Sequence, residues 1–190
     1  MPGRPSVVTV LTLPRGARAV LALSMLTLLA ACGGGPTDKS DFPPACPQVA
    51  TVPDAAEVTR FRGAGTDLTD MAVDARITAP RGKCSRDTGG RLKVVTHVRL
   101  LVTRGPAATG STESVDYFIA VLSGGHILAK YPQTATVEFP PNVDHLIVTG
   151  DDVALSLPTT KDKPGDAFTL VSGFQLTPAQ LAFNRQRGEQ

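Results

Sequence analysis

The feature that most constrains this chain is a long segment in which apolar and polar side chains alternate. Between residues 92 and 103, one side carries Leu92, Val94, Thr96, Val98, Leu100 and Val102, and the other carries Lys93, Val95, His97, Arg99, Leu101 and Thr103. Successive side chains of a β-strand point to opposite faces of a sheet, whereas a helix would spread this pattern around its circumference. The segment therefore predicts a half-buried β-strand whose apolar side faces a core.

The same period of two recurs along the chain. Further strand candidates are residues 71–78, 115–122, 126–131, 134–139, 145–149, 153–157 and 168–176. Ser123-Gly124-Gly125 is typical of a hairpin turn, and Gly150-Asp151-Asp152 is a second turn signal. About eight short strands predict an all-β fold, an antiparallel β-sandwich of the immunoglobulin or fibronectin type. A barrel is the alternative, and a parallel βαβ sheet is disfavoured.

One short α-helix is predicted at the C-terminal end. Thr177 can cap this helix, Pro178 suits its first position, and Gln180 completes a capping box. Leu176 and Leu181 have the spacing of a hydrophobic staple. We therefore expect a helix over residues 178–187, with Leu181 packed in the core of the sandwich and Phe183 as a second candidate for a docking contact.

The first 31 residues have the pattern of a secretory signal peptide. They contain three Arg and no Asp or Glu, and their last 13 residues form an apolar stretch at positions 19–31. This stretch is short for a membrane span, which needs about 20 residues. It leads directly into a cysteine, in the order Leu29-Ala30-Ala31-Cys32-Gly33.

Leu29-Ala30-Ala31-Cys32 resembles the lipobox of bacterial lipoprotein precursors. The resemblance implies lipidation of Cys32 by diacylglycerol on its sulfur, cleavage before Cys32, and a third acyl chain on the new amino group. Gly33 stands where an Asp commonly signals retention at the inner membrane, so the resemblance favours the outer membrane. An ordinary secretory signal with an incidental cysteine is the alternative.

These motifs divide the chain into a signal peptide at 1–31, a lipidated Cys with a flexible tether at 32–45, and a single β-sandwich domain at 46–187. Cleavage changes the net charge from +2 to −1, because 16 Lys and Arg then stand against 17 Asp and Glu. Without a block of Lys and Arg, no nucleic-acid partner is predicted. The expected partners are a membrane, through the lipid anchor, and other proteins of the cell envelope.

Cys46 and Cys84 are left once Cys32 is assigned to the lipid. In an oxidising compartment two such cysteines form a disulfide by default. A metal site would need more ligands, since no His lies within four residues of either Cys and no C-x-x-C motif occurs. We therefore predict a disulfide between Cys46 and Cys84.

Four segments of the mature sequence point to a known group of proteins, namely Cys46–Ala50, Thr59–Arg62, Asp67–Asp70 and Gly173–Arg185. Through these segments the mature sequence resembles a group of uncharacterised proteobacterial envelope lipoproteins. The resemblance spans nearly the full chain, and it implies a class of protein without implying any catalytic residue.

Few residues suggest catalysis. The chain has no Gly-x-Ser-x-Gly motif, and His97 and His126 fall on a polar strand face and beside a glycine turn. His145 is the strongest candidate for an acid–base or metal site, because Asp144 is adjacent and Asp151-Asp152 follow shortly after. We predict no catalytic residue, metal ligand or cofactor, and a non-catalytic interaction or structural module. The alternatives are a lipocalin-like carrier of a small apolar ligand and a hydrolase.

Overall fold

A computed structural model of the chain describes residues 44–188. The predicted signal peptide, the lipidation site Cys32 and most of the tether lie outside the described residues. Within residues 44–188 there are nine strands and one α-helix. They are β1 (Gln48–Thr51), β2 (Glu57–Phe61), β3 (Met71–Asp87), β4 (Arg91–Arg104), β5 (Thr112–Ser123), β6 (His126–Glu138), β7 (His145–Thr149), β8 (Val153–Pro158), β9 (Phe168–Phe174) and α1 (Pro178–Gly188).

The strands form two sheets that pack face to face. Sheet A has the order β1-β9-β5-β6, and sheet B has the order β2-β3-β4, followed by β7 and β8, which both pair with β4. Neighbouring strands are antiparallel except for β1, which runs parallel to β9. The predicted antiparallel β-sandwich with a short C-terminal helix is confirmed, and β1 and β2 are strands that the alternation did not reveal.

The alternating pattern marks the sides of the strands correctly. In β4, the apolar residues Leu92, Val94, Val98, Leu100 and Val102 are between 0 and 3% exposed. Two clusters of buried side chains fill the space between the sheets. The first includes Leu100, Val102, Tyr117, Val137 and Phe174, and the second includes Leu92, Val94, Ile119, Phe168 and Leu170. These clusters supply the hydrophobic stabilisation that holds the sheets together.

β6 is one continuous strand, although the sequence predicted two strands, residues 126–131 and 134–139, on either side of Pro132. The strand pairs with β5 along its length, and Pro132 lies opposite Phe118. Proline has no N–H to donate, so it is tolerated on an edge strand whose N–H faces away from the sheet. β6 is the last strand of sheet A, which explains how a proline fits in its middle.

The segment between β7 and β8 is a bulge, and the predicted turn at Gly150-Asp151-Asp152 is wrong. Both strands run antiparallel to β4, with β7 opposite residues 99–103 and β8 opposite residues 91–96. The chain therefore continues in one direction through residues 150–152. The backbone N–H of Gly150 donates to the carbonyl oxygen of Val98 at 2.9 Å, which keeps the bulge attached to β4.

The helix α1 begins as predicted. The backbone N–H of Thr177 donates to Gln180 Oε1 at 2.8 Å, and the N–H of Gln180 donates to Thr177 Oγ1 at 3.2 Å, which completes the capping box. The expected burial of Leu181 is wrong: this side chain is half-buried, and no residue of the helix is fully buried. The helix lies on the edge of sheet B, so its contacts are with β2 and the turn before it.

The predicted disulfide between Cys46 and Cys84 is present, with a Cα–Cα distance of 5.8 Å. Cys84 belongs to β3 of sheet B, while Cys46 comes just before β1 of sheet A. The bond therefore links the two sheets at the point where the described chain begins.

Candidate interaction surface at the open sheet edges

The structure does not assemble the candidate site around His145. Its Nδ1 lies 2.7 Å from Asp144 Oδ1, and both side chains are more than 70% exposed. The hydrogen bond from His145 lowers the pKa of Asp144. β7 separates His145 from the bulge that carries Asp151 and Asp152, and the length of this strand alone is about 13 Å at the rise of a β-strand. An exposed hydrogen bond between chain neighbours lies in solvent, and it offers no enclosed position for a substrate.

His97 contacts an acidic residue that the sequence did not associate with it. Its Nδ1 lies 2.9 Å from Asp152 Oδ1, because β4 pairs with the bulge that carries Asp152. Asp152 is 68% exposed, so this pair is also solvated. His126 is exposed beside the β5–β6 turn. The three histidines thus lie apart from one another.

The bulge also receives the one tyrosine of β5. Tyr117 is 1% exposed, and its hydroxyl lies so close to Gly150 that a Cβ atom there would overlap it. Burial, followed by the nearby charge of Asp151, raises the pKa of Tyr117 above its ordinary value. The phenol is therefore a neutral element of the packed core, held across the space between the two sheets.

Residues 44–188 contain no group of three or more His, Cys, Asp or Glu side chains that could hold a metal ion. Every buried side-chain nitrogen or oxygen in this part of the chain has a hydrogen-bond partner. No helix among these residues is long and apolar enough to cross a membrane.

On one side of the sandwich, the sheet edges are covered. The side-chain amide of Asn184 in α1 donates to the backbone oxygens of Asp54 and Glu57, at 2.9 and 2.8 Å. Phe183 packs edge-on against Phe61 of β2, with the ring centroids 5.2 Å apart. The helix thereby occupies hydrogen-bonding groups along β2 that would otherwise invite another strand.

β1, the outer strand of sheet A on that side, packs against β3 of sheet B. A Cβ atom on Gly82 would lie 3.2 Å from Val49 Cγ2, so β1 and β3 approach closely at this glycine. The disulfide between Cys46 and Cys84 reinforces the same contact. This side of the sandwich is closed by α1, by β1 and by a covalent bond.

The other side of the sandwich is uncovered, and we call it the open edge: β6 of sheet A with β7 and β8 of sheet B. Among the described residues, β6 pairs only with β5, and β7 and β8 pair only with β4. Four of the five large apolar side chains that are exposed in this part of the chain lie on β6 and β7. They are Ile127 (66% exposed), Leu128 (54%), Tyr131 (37%) and Ile147 (57%).

The exposed residues of β6 fall in two places. Ile127 and Leu128 lie at the tip of the β5–β6 hairpin, beside Gly124 and Gly125, whose φ angles of 57° and 80° form the turn. Tyr131 lies further along the strand. A lysine on an edge strand can prevent another strand from pairing with it. Lys130, the only lysine of β6, instead turns toward sheet A, because its Nζ lies 4.2 Å from the centroid of the Phe118 ring and donates to Gln175 Oε1 at 2.7 Å.

The free hydrogen-bonding groups of β6 follow from its pairing. The backbone N–H of Phe139, just beyond β6, points inward and donates to the carbonyl oxygen of Ser111 at 2.7 Å. Pro132 has no N–H. Inward and outward groups alternate along an antiparallel edge strand. The outward N–H and C=O groups after the proline therefore belong to Thr134, Thr136 and Glu138.

Comparison with known proteins assigns no family to this chain. No protein-family model, no curated protein and no solved structure matches it. The resemblance to envelope lipoproteins therefore stays a prediction from the sequence, and the open edge is the candidate site that the geometry provides.

Proposed function

We propose that the protein is a lipid-anchored lipoprotein that faces the periplasm and serves as a non-catalytic interaction module of the cell envelope. The sequence Leu29-Ala30-Ala31-Cys32 supports the anchor, and Gly33 favours the outer membrane. The disulfide between Cys46 and Cys84 fits an oxidising compartment. Partners are other envelope proteins, which bind at the open edge.

The single observation that carries the binding role is the unpaired outer side of β6. Thr134, Thr136 and Glu138 point their backbone N–H and C=O groups outward, with no other strand of the described chain beside them. An extended segment of a partner can add to such an edge and gain a ladder of main-chain hydrogen bonds. Pro132 limits the ladder to the residues that follow it, and Tyr131 gives the partner an exposed aromatic contact.

The alternatives have less support in the geometry. A carrier of a small apolar ligand needs an interior cavity, and side chains such as Tyr117, Leu170 and Phe174 fill the space between the sheets. A hydrolase needs a base beside a nucleophile, and His97 and His145 each pair with an exposed carboxylate. An edge that binds another polypeptide requires neither feature.

The decisive experiment separates the edge from the rest of the surface. A photo-crosslinking amino acid replaces Tyr131 in cells, and the same amino acid replaces the exposed Gln186 on α1 as the control. We expect a discrete adduct from position 131 that position 186 does not give. The same adducts from both positions would contradict a binding role for the open edge.

A matched pair of variants tests strand addition itself. Thr136→Pro removes an outward N–H without removing a backbone hydrogen bond to β5, whereas Thr136→Val keeps that N–H. Both changes remove the Thr136 hydroxyl and its hydrogen bond with Ser114 of β5, so that loss is matched between the two variants. The adduct at Tyr131 should disappear in Thr136→Pro and persist in Thr136→Val. An adduct that survives both changes would show that the partner does not extend the sheet.

The anchor is tested independently. Cys32→Ser should leave the protein as an unprocessed precursor or release it from membranes. A Cys32→Ser protein that still fractionates with membranes at its mature size would contradict lipidation.

A further inference from the structure

One end of the sandwich gathers the segment that emerges from the tether with three surface loops. Pro44 and Ala45, the first described residues, lie beside the β3–β4 turn and the loop at 159–167, and together these segments line one cleft. The N–H of Thr159 donates to the carbonyl oxygen of Gly90 at 3.3 Å. Ser123 pairs with Phe168, which places the β5–β6 hairpin at the same end. We call this region the tether end.

The tether end is the positively charged end of the domain. Residues 83–93 and 159–167 contain six Lys and Arg and three Asp, namely Lys83, Arg86, Arg91, Lys93, Lys161 and Lys163 against Asp87, Asp162 and Asp166. In the rest of residues 44–188, eleven Asp and Glu outnumber nine Lys and Arg. Five of the six cations are exposed, and Lys163 is half-buried. The domain therefore has a positive end and a mildly negative remainder.

The same end carries exposed apolar side chains. Ile127 and Leu128 are 66 and 54% exposed at the β5–β6 hairpin, within a few residues of its turn. Leu and Ile beside Lys and Arg are the composition of protein surfaces that lie in the interface of a membrane. Moving exposed apolar side chains of this size from water into such an interface is favourable, because it removes apolar surface from water.

The tether keeps this end near the bilayer. This step depends on the proposed function, in which Cys32 carries the lipid. Eleven residues, 33–43, separate Cys32 from Pro44. The flexible tether that the sequence predicts would span about 18 Å on average at that length. Charges interact with a membrane surface over a Debye length of about 8 Å at physiological salt, so the tether holds the positive end within about two such lengths.

We propose that the tether end docks on a bilayer surface of anionic phospholipid, with its cations against the phosphates and Ile127 and Leu128 in the interface. The charge distribution, and not the net charge of −1, orients the domain. Docking places the β5–β6 hairpin tip at the membrane. β6 then runs away from the bilayer, so that Thr134, Thr136 and Glu138 are presented to partners at its far end.

The experiment uses the mature chain from residue 32 with Cys32→Ser, so that no acyl chain contributes. The probes are large unilamellar vesicles of phosphatidylcholine alone and of phosphatidylcholine with 30% phosphatidylglycerol, a composition chosen for contrast. Flotation measures the bound fraction. We expect binding to the anionic vesicles, little binding to the neutral ones, and release at high salt. Equal binding to both vesicles, or to neither, would overturn the proposal.

Two double variants with the same change of net charge locate the docking surface. Lys93→Gln with Lys161→Gln removes two charges from the tether end, and Arg62→Gln with Arg76→Gln removes two exposed charges elsewhere. Each Lys or Arg near an anionic surface strengthens binding about fivefold, so the first pair should weaken partitioning about 25-fold. The second pair should leave it nearly unchanged, and equal losses would overturn the proposal.

A third variant tests the apolar contribution, and the outcomes separate this proposal from the proposed function. Ile127→Ser with Leu128→Ser should also weaken partitioning at unchanged charge, and full retention would remove these residues from the interface. Vesicle binding requires neither lipidation nor a protein partner. If the protein does not bind anionic vesicles but is processed normally at Cys32, only the docking surface is overturned. If it binds anionic vesicles but is not processed at Cys32, only the anchor is overturned.

Discussion

Replacing Gly150 by alanine should destabilise the domain through one identifiable contact. Gly150 lies in the bulge between β7 and β8, and Tyr117 reaches it from the opposite sheet. A Cβ atom at position 150 would overlap the tyrosine hydroxyl and lie 3.0 Å from Cζ and 3.6 Å from Cε1 of the ring. The φ angle of Gly150 is not in the left-handed region, so the backbone accepts alanine and the effect is steric.

The magnitude follows from how little the ring can move. Tyr117 is 1% exposed and belongs to the cluster that includes Leu100, Val102 and Phe174. Overpacking a core of this kind typically costs roughly 1–3 kcal/mol. Because the tyrosine ring has no free space to move into, we expect a cost of about 3 kcal/mol. For a domain of this size, that corresponds to a fall in Tm of roughly 6–12 °C.

A second variant identifies the cause. Tyr117→Phe removes the overlapping hydroxyl and its hydrogen bond from the Asp151 backbone, which alone should cost about 1 kcal/mol. Combined with Gly150→Ala, it should restore about 1–2 kcal/mol relative to the sum of the single changes, because the Cζ contact of 3.0 Å is still tight. Urea melts of the mature chain with Cys32→Ser measure all four free energies of unfolding. Strictly additive changes would refute the steric explanation.

Three further predictions concern the phenol, the helix and the disulfide. Burial raises the pKa of Tyr117 above 10.0, so the stabilising contribution of the neutral phenol is complete below pH 10 and is lost as the pH rises through the folded-state pKa. Chemical denaturation between pH 8 and 11 should therefore show that Tyr117→Phe loses less stability at alkaline pH than the wild type does. Phe183→Ala should cost about 2 kcal/mol and Leu181→Ala about 1 kcal/mol, because only Phe183 packs against an aromatic ring of β2; the reverse order in urea melts would contradict the docking of α1. Replacing Cys46 and Cys84 together by alanine should cost about 4 kcal/mol, as expected for a 38-residue separation, and an unchanged melt would contradict that value.

The parts of the fold that the sequence predicts are those decided by neighbours along the chain. Alternation identified the buried side of β4, because the period of a strand is a local property. Gly124 and Gly125 identified the hairpin turn, since both adopt positive φ angles. Thr177 and Gln180 located the start of α1 through bonds that span only three residues. Each of these signals is complete within one short segment.

The parts that the sequence did not predict depend on pairing between distant segments. His97 and Asp152 are 55 positions apart and meet because β4 pairs with both β7 and β8. Leu181 has the spacing of a staple, yet α1 lies on a sheet edge, where its contacts are made by Phe183, which the sequence also suggested, and by Asn184, which it did not. The register of β4 and the position of α1 both depend on distant segments, so neither can be deduced from the local sequence around His97 or Leu181.

Two residues that suggested breaks share a single explanation. Pro132 read as the end of a strand, and Gly150 read as the start of a turn, because those are their usual local roles. In the structure Pro132 lies in an edge strand that does not need its N–H, and Gly150 leaves room for the hydroxyl of Tyr117. Pro132 lies in β6, and Gly150 lies between β7 and β8, so both belong to the open edge. Neither residue reverses the direction of the chain, and both lie on the side of the sandwich to which we assign partner binding.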